Sequence, residues 1–262
     1  MTKPPPSASD ADRLADPSAS QTNWSVIYQA AHGQTGPARV AWEQLVRRYW
    51  PAIYAFVRHR GADVHEAADL TQGFVCDVMI ARHLLATADP TRGRFRTLLL
   101  ASLKNYLADR HRHQSRQKRA PTNADGELGH RFSIDTAELR ETALASYDSP
   151  DAAFTAQWST ALVRRVLDDV RAACETEGLR AHWAVFEARI ARPMLAGEIP
   201  VPYPILVDRF QLKDAAQAAN MMITVKRRFA QALGLAVSET VSDPDDIADE
   251  LGELIRSLER PR

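Results

Sequence analysis

The sequence predicts an all-α protein: two small helical domains joined by a flexible linker. Three observations carry that expectation. Nearly every periodic segment repeats its apolar residues at steps of three and four, and no convincing pair of alternating strands occurs. A polar, irregular stretch from Ser115 to Pro150 separates the periodic halves. The composition, 45% hydrophobic and 25% charged, is that of an ordinary globular protein.

Taken in order, residues 1–21, MTKPPPSASDADRLADPSASQ, read as a disordered tail rich in Pro, Ser and Asp, without the apolar core of a signal peptide. From Trp24 to about Arg60, the residues Trp42, Leu45, Val46, Tyr49, Ile53, Phe56 and Val57 recur at helical spacing. A second helix is expected from about Val64 to Leu85, with Ala68, Phe74, Met79 and Leu85 facing inward. DPTRGR, with Pro90 and Gly93, breaks the chain before a basic helix near Thr97 to His113. Leu99, Leu103, Tyr106 and Leu107 give that helix its buried face.

In the second half, Asp148-Ser-Pro-Asp is a helix start, and amphipathic helices follow to about Ile190. MLAGEIPVPYP interrupts; two shorter helices then fill Pro204 to Ala236, and Asp243-Pro-Asp-Asp caps a last helix to about Leu258. The expected organisation is a tail (1–21), a first helical domain (22–119), a linker (120–150), a second domain (151–241) with a helix-turn-helix at about 202–233, and an acidic C-terminal helix and tail (242–262).

Several function classes fall away. No window approaches a run of about 18 apolar residues, so no membrane partner is expected. Cys76 and Cys174 stand far apart and suggest small buried thiols in a reducing cytoplasm, not a disulfide framework or a zinc site. His111 and His113 are two apart, not at the four-residue helical spacing of a zinc pair. No Gly-rich phosphate loop, GxSxG or HExxH motif is present, so neither enzyme, metal nor cofactor is expected.

Two segments carry chemistry. RGRFRTLLLASLKNYLADRHRHQSRQKR, Arg92 to Arg119, holds nine Lys or Arg and one acid in a chain of formal net charge zero. Such a patch suits a row of phosphates, giving affinity and salt dependence but little sequence information. Phe95 and Tyr106 could stack on unpaired bases or belong to the core. In PYPILVDRFQLKDAAQAANMMITVKRRFAQAL, Ile205, Leu206 and Phe210 form the inner face of a short helix. Asp214 and Gln217 then fit a capping-box variant that starts a second helix. Ala218, Met222, Val225, Phe229 and Leu233 form its apolar stripe, and Gln217, Asn220, Thr224, Arg227 and Gln231 the opposite one. Those polar types suit base edges and phosphates in a major groove, although an ordinary surface helix also has a polar side.

AWEQLVRRYWPAIYAFVRHRG, EAADLTQGF, the basic run and the helix-turn-helix together resemble bacterial RNA polymerase sigma factors of the extracytoplasmic-function group, which keep only regions two and four. The resemblance covers about Thr22 to Leu258 and is most specific in the middle block. It implies a cytoplasmic transcription initiation factor that binds core RNA polymerase and promoter DNA. It further implies that Glu66, Asp69 and Gln72 contact the polymerase. Arg92, Arg94, Phe95, Arg96, Lys104 and Asn105 would meet the melted minus-ten strand, and Arg110, Arg112, Arg116, Lys118 and Arg119 the adjoining duplex. Lys213, Gln217, Asn220, Thr224, Arg227 and Arg228 would read the minus-thirty-five element.

The chain departs from the family pattern in two places. Glu66-Ala-Ala-Asp69 and Leu-Thr-Gln-Gly73 replace segments with two further carboxylates. Phosphorylation of Thr71 by a protein kinase would restore charge there, whereas the plain reading is that Thr71 packs or hydrogen-bonds locally. Gln211 stands where the family often has Gly, so either that position avoids positive φ or strain is accepted. An anti-sigma factor is a further expected partner. Two other readings stay open: a conventional helix-turn-helix regulator, and a sigma-like interaction protein that has lost polymerase binding.

Overall fold

The structure, a computed structural model, describes residues 36–80, 84–86, 88–89, 94–117, 147–241 and 244–259, together with Ile27 and Ala30. Helix α1 (Gly36–His59) begins amphipathic and ends enclosed, with all of Tyr49 to Val57 buried except Pro51. Helix α2 (Val64–Phe74) starts at Asp63, whose Oδ1 accepts from the His65 and Glu66 backbone N–H groups at 2.8 Å each. It runs on into a π-helical turn, Val75–Ile80. The basic helix α3 spans Phe95–Gln117, longer at both ends than its periodicity predicts.

Helix α4 (Pro150–Thr176) has Pro150 in its first turn, where no N–H is required, and Ser149 Oγ accepts from Ala152 N at 3.1 Å. Helix α5 (Arg180–Phe186), a π turn (Glu187–Ala191) and α6 (Arg192–Ala196) follow, and Gly197 closes α6 at φ 67°. Then come α7 (Tyr203–Phe210), α8 (Ala215–Ser238), a 3-10 turn (Pro244–Asp246) and α9 (Ile247–Glu259). No strand occurs among the described residues, and the protein is all-α as the spacing predicts.

The hub is α4. Its buried residues include Ala153, Phe154, Ala156, Trp158, Ser159, Leu162 and Val163, an arc too wide for one neighbour to cover. It therefore packs against α1, α5, α8 and α9 together, with the broadest contact along α1. Leu45, Ile53 and Phe56 of α1, Phe74 of α2, Leu99 and Leu103 of α3, Trp158 and Leu162 of α4 and Val225 of α8 belong to one continuous core. A smaller cluster of Val185, Ala188, Leu206 and Ala218 supports α7 and α8.

The two halves expected as separate domains thus share a core. Polar ties add to it: His59 Nε2 lies 2.7 Å from the Tyr147 carbonyl, and Lys104 Nζ lies 2.7 Å from Asp151 Oδ2. Residues 118–146, most of the expected linker, lie outside the described residues.

Candidate nucleic-acid and polymerase interface

Arg94 and Arg96 flank the first residue of α3, and the Arg94 carbonyl accepts from Thr97 N at 3.0 Å. Cations are unfavourable at a helix N-terminus, where the macrodipole is positive. Here the opposing charge comes from α9. Arg94 lies 2.6 Å from Glu250 and 3.2 Å from Glu253, and Arg96 lies 2.9 Å and 2.5 Å from the same carboxylates. The Arg96 guanidinium also sits 4.7 Å from the centre of the Trp158 ring.

Phe95, between the two arginines, is buried and meets Tyr49 edge-on with ring centroids 5.4 Å apart. It is a core residue in this structure, and so is Tyr106. Neither offers a face to an unpaired base in this packing, because the helix register turns both toward α1 and α2 rather than outward.

Further along α3, Lys104, Asn105, Arg110 and Arg112 are exposed. Lys104 pairs with Asp151 at the start of α4, and Arg112 with Asp109 one turn before it. Arg110 Nε donates to the Tyr106 hydroxyl at 3.0 Å. Burial pushes the Tyr106 hydroxyl above the usual phenol range, and the Arg110 hydrogen bond and charge pull against that. Arg116 lies on the last turn of α3, whereas Arg92, Lys118 and Arg119 lie outside the described residues.

On α2, Glu66 and Asp69 are exposed and Gln72 is half-buried. Thr71 points inward, fully enclosed, and its Oγ1 has no hydrogen-bond partner among the described residues. A kinase cannot reach that hydroxyl while α2 stays packed, so the charge-restoring role expected of Thr71 has no access here. Gly73 is where the Tyr106 hydroxyl and the Arg110 guanidinium come down on α2; an added β-carbon would collide with the hydroxyl. A groove of about 580 Å³ lies between the end of α1, α2 and α3, and it brings together Arg60, Glu66, Arg110, His111 and Arg112 over Val57 and Leu107. Sequence position alone does not show that Glu66, Arg110 and Arg112 share one groove.

In the second half, α7, the turn and α8 form the expected pair of helices. Leu206 is buried and Phe210 half-buried, but Ile205, expected on the inner face, is 49% exposed. The helix is short enough that Leu206 and the half-buried Val207 fill the contact instead. Gln211 adopts φ 51°, ψ 46°, so left-handed strain is accepted at this turn. Its own Nε2 donates to the Asp208 carbonyl at 2.8 Å, satisfying an acceptor at the end of α7.

Asp214 caps α8 by accepting from Gln217 N at 2.8 Å, and Gln217 Oε1 accepts from Lys213 N at 2.7 Å. Gln217 therefore commits its carbonyl oxygen to the helix start rather than to a base. Asn220, Thr224, Arg227 and Gln231 are exposed on one side, with Ala218 and Val225 buried on the other. Arg228, half-buried and off that stripe, lies 2.7 Å from Glu177 just past α4. That hydrogen bond holds the Glu177 carboxyl below its usual range.

Missed by sequence reasoning are Asp151, Trp158, Glu250 and Glu253, the residues that hold the expected DNA-facing cations. The acids at steps of three on α9 were visible as an acidic helix, but their partners lie more than 150 positions away.

A comparison with curated proteins finds no match, and neither does one with solved structures. Residues 45–117 match the family model described as Sigma-70 region 2. The matched residues run from within α1 to the end of α3, ahead of α7 and α8. Over residues 45–117 the chain is thus similar to Sigma-70 region 2.

Proposed function

We propose that this chain is a sigma factor of the extracytoplasmic-function group, which binds core RNA polymerase and directs it to promoters. The observation that carries the reading is the Sigma-70 region 2 match over residues 45–117, the segment that holds both the exposed acids of α2 and the basic helix α3. In this reading Glu66, Asp69 and Gln72 dock on the polymerase. Lys104, Asn105, Arg110 and Arg112 of the exposed α3 face meet the minus-ten region, joined by Arg94 and Arg96 once these are released. Unstacking a base there costs a few kcal/mol and so favours promoter steps that open readily. The stripe of Asn220, Thr224 and Arg227 on α8 lies in the major groove of the minus-thirty-five element. An anti-sigma factor is a further partner in this proposal, and the cytoplasm its compartment.

A second reading has one observation in its favour. Gly73, where the family has a carboxylate, is covered by Tyr106 and Arg110, which fits a sigma-like protein that has lost its polymerase contact. Pull-down of purified core RNA polymerase by the tagged chain separates the two. Retention of the polymerase, weakened by a Glu66→Lys/Asp69→Lys variant, supports the initiation factor. No retention by the folded wild-type chain refutes it.

A further inference from the structure

Helix α9 occupies the arginines that open the basic helix. Glu250 is fully enclosed, and the Arg96 side chain is only 9% exposed, so their ion pair is withdrawn from water. Leu254 is part of the shared core, and the Ser257 and Ser159 hydroxyls hydrogen-bond between α9 and α4 at 2.7 Å. Apolar packing and this hydroxyl pair hold α9 in place. The carboxylates add something different, because replacing a buried ion pair by apolar groups is often neutral or stabilising.

The network is also incomplete. Arg96 Nε and Glu250 Oε1 are buried without hydrogen-bond partners among the described residues. Burial pushes the Glu250 carboxyl above its usual range despite Arg96 and Arg94. Burial pushes Glu253 up as well, but the hydrogen bond from Arg96 and the charges of Arg96, Arg94 and Arg256 outweigh it and hold Glu253 below. Leaving polar atoms of a buried cluster unpaired is costly. Guanidinium groups accept carboxylate and phosphate oxygens by the same fork geometry.

We infer that Arg94 and Arg96 form a phosphate site for a single nucleic-acid strand, and that α9 is its internal occupant. The carboxylates of Glu250 and Glu253 sit where backbone phosphates of the strand would bind. In the free chain α9 keeps the site shut; when α9 lifts from α4, the arginines become available. The inference rests on the reading that this segment meets promoter DNA. The acidic C-terminal helix packs on α4 and on α8, and its carboxylates reach across to the first half's basic segment.

Two variants of the full-length chain test it, with fluorescence anisotropy of a labelled single-stranded oligothymidylate and no polymerase present. Glu250→Gln/Glu253→Gln keeps the side-chain shapes and removes the competing charge. It is expected to bind the strand about tenfold more tightly than wild type, with affinity falling as salt rises. Adding Arg94→Ala to that variant should return affinity toward the wild-type value. A folded double variant that binds no more tightly than wild type overturns the inference. The second variant, Ser159→Cys/Ser257→Cys, locks α9 onto α4 when oxidised and leaves every charge in place. Strand binding should fall on oxidation and recover with dithiothreitol, against a wild-type control treated alike; equal binding in both redox states overturns the inference. Polymerase retention without any effect of α9 counts against this inference alone. Strand binding controlled by α9 without polymerase retention upholds it and counts against the initiation-factor reading alone.

Discussion

The hydroxyl of Tyr106 lies over Gly73 in the space that a β-carbon would fill. It is pinned there by Arg110 Nε at 3.0 Å and directed toward Asp77 Oδ2 at 3.5 Å. Mid-helix glycine ordinarily weakens a helix by about 1 kcal/mol relative to alanine. Gly73→Ala should nevertheless destabilise the protein in urea unfolding, because the buried ring has no room to retreat. In a Tyr106→Phe background the same change should stabilise by about 1 kcal/mol, the ordinary helix preference. Independent, additive effects of the two substitutions would contradict this contact.

Thr71 yields a second prediction. Its enclosed hydroxyl has no partner among the described residues, and an unsatisfied buried polar group costs free energy. Thr71→Val, nearly the same shape, should raise stability by about 1 kcal/mol. Thr71→Glu, which buries an unpaired charge, should lower it by about 3–5 kcal/mol. Wild-type stability in the Glu variant, measured by chemical denaturation, would show that α2 readily turns this position outward.

The turn before α8 gives a third. Gln211 holds a left-handed conformation that costs an ordinary residue roughly 1–2 kcal/mol, partly offset by its bond to the Asp208 carbonyl. Gln211→Gly should raise the unfolding free energy by roughly 0.5–1 kcal/mol. A β-branched residue tolerates this conformation least, so Gln211→Val should lower it. Thermal denaturation of the three proteins checks the order Gly, Gln, Val.

Asp63 sets a pH dependence. Hydrogen bonds from Glu66 N and, less strongly, from His65 N hold its carboxyl below the usual carboxylate range against a smaller opposing desolvation. A depressed folded-state value means that the cap's contribution is present above the unfolded carboxylate pKa and is lost as pH falls through the folded one. Protection of the His65 and Glu66 amides against hydrogen exchange should therefore fall in acid. Asp63→Asn keeps a capping oxygen without a titrating charge, so its protection should be flat across that range.

Much of this fold is legible in the sequence because helices announce themselves locally. Asp148-Ser-Pro-Asp marks the start of α4 through a cap and a proline, and Asp214 with Gln217 marks α8 through reciprocal capping bonds. The exposed stripe of Asn220, Thr224 and Arg227 follows from helical spacing alone. What spacing cannot carry is pairing across distance. Arg96 reads as a free cation beside its neighbours, yet its partners Trp158 and Glu250 come from two other helices. Phe95 reads as either a base-stacking or a core residue, and only the contact with Tyr49 places it in the core. The resemblance sets Arg228 beside Arg227 on DNA, yet here Arg228 pairs with Glu177. The wide apolar arc of α4 is the one local signal that the two halves share a core.

Run-off transcription with purified core RNA polymerase, on a template carrying the chain's own upstream region, tests the central claim most directly. Expected is a discrete transcript that requires this chain and is lost in an Asn105→Ala/Arg110→Ala/Arg112→Ala variant that still retains the polymerase. No chain-dependent transcript, from folded protein that retains the polymerase, would contradict the assignment of this chain as an initiation factor.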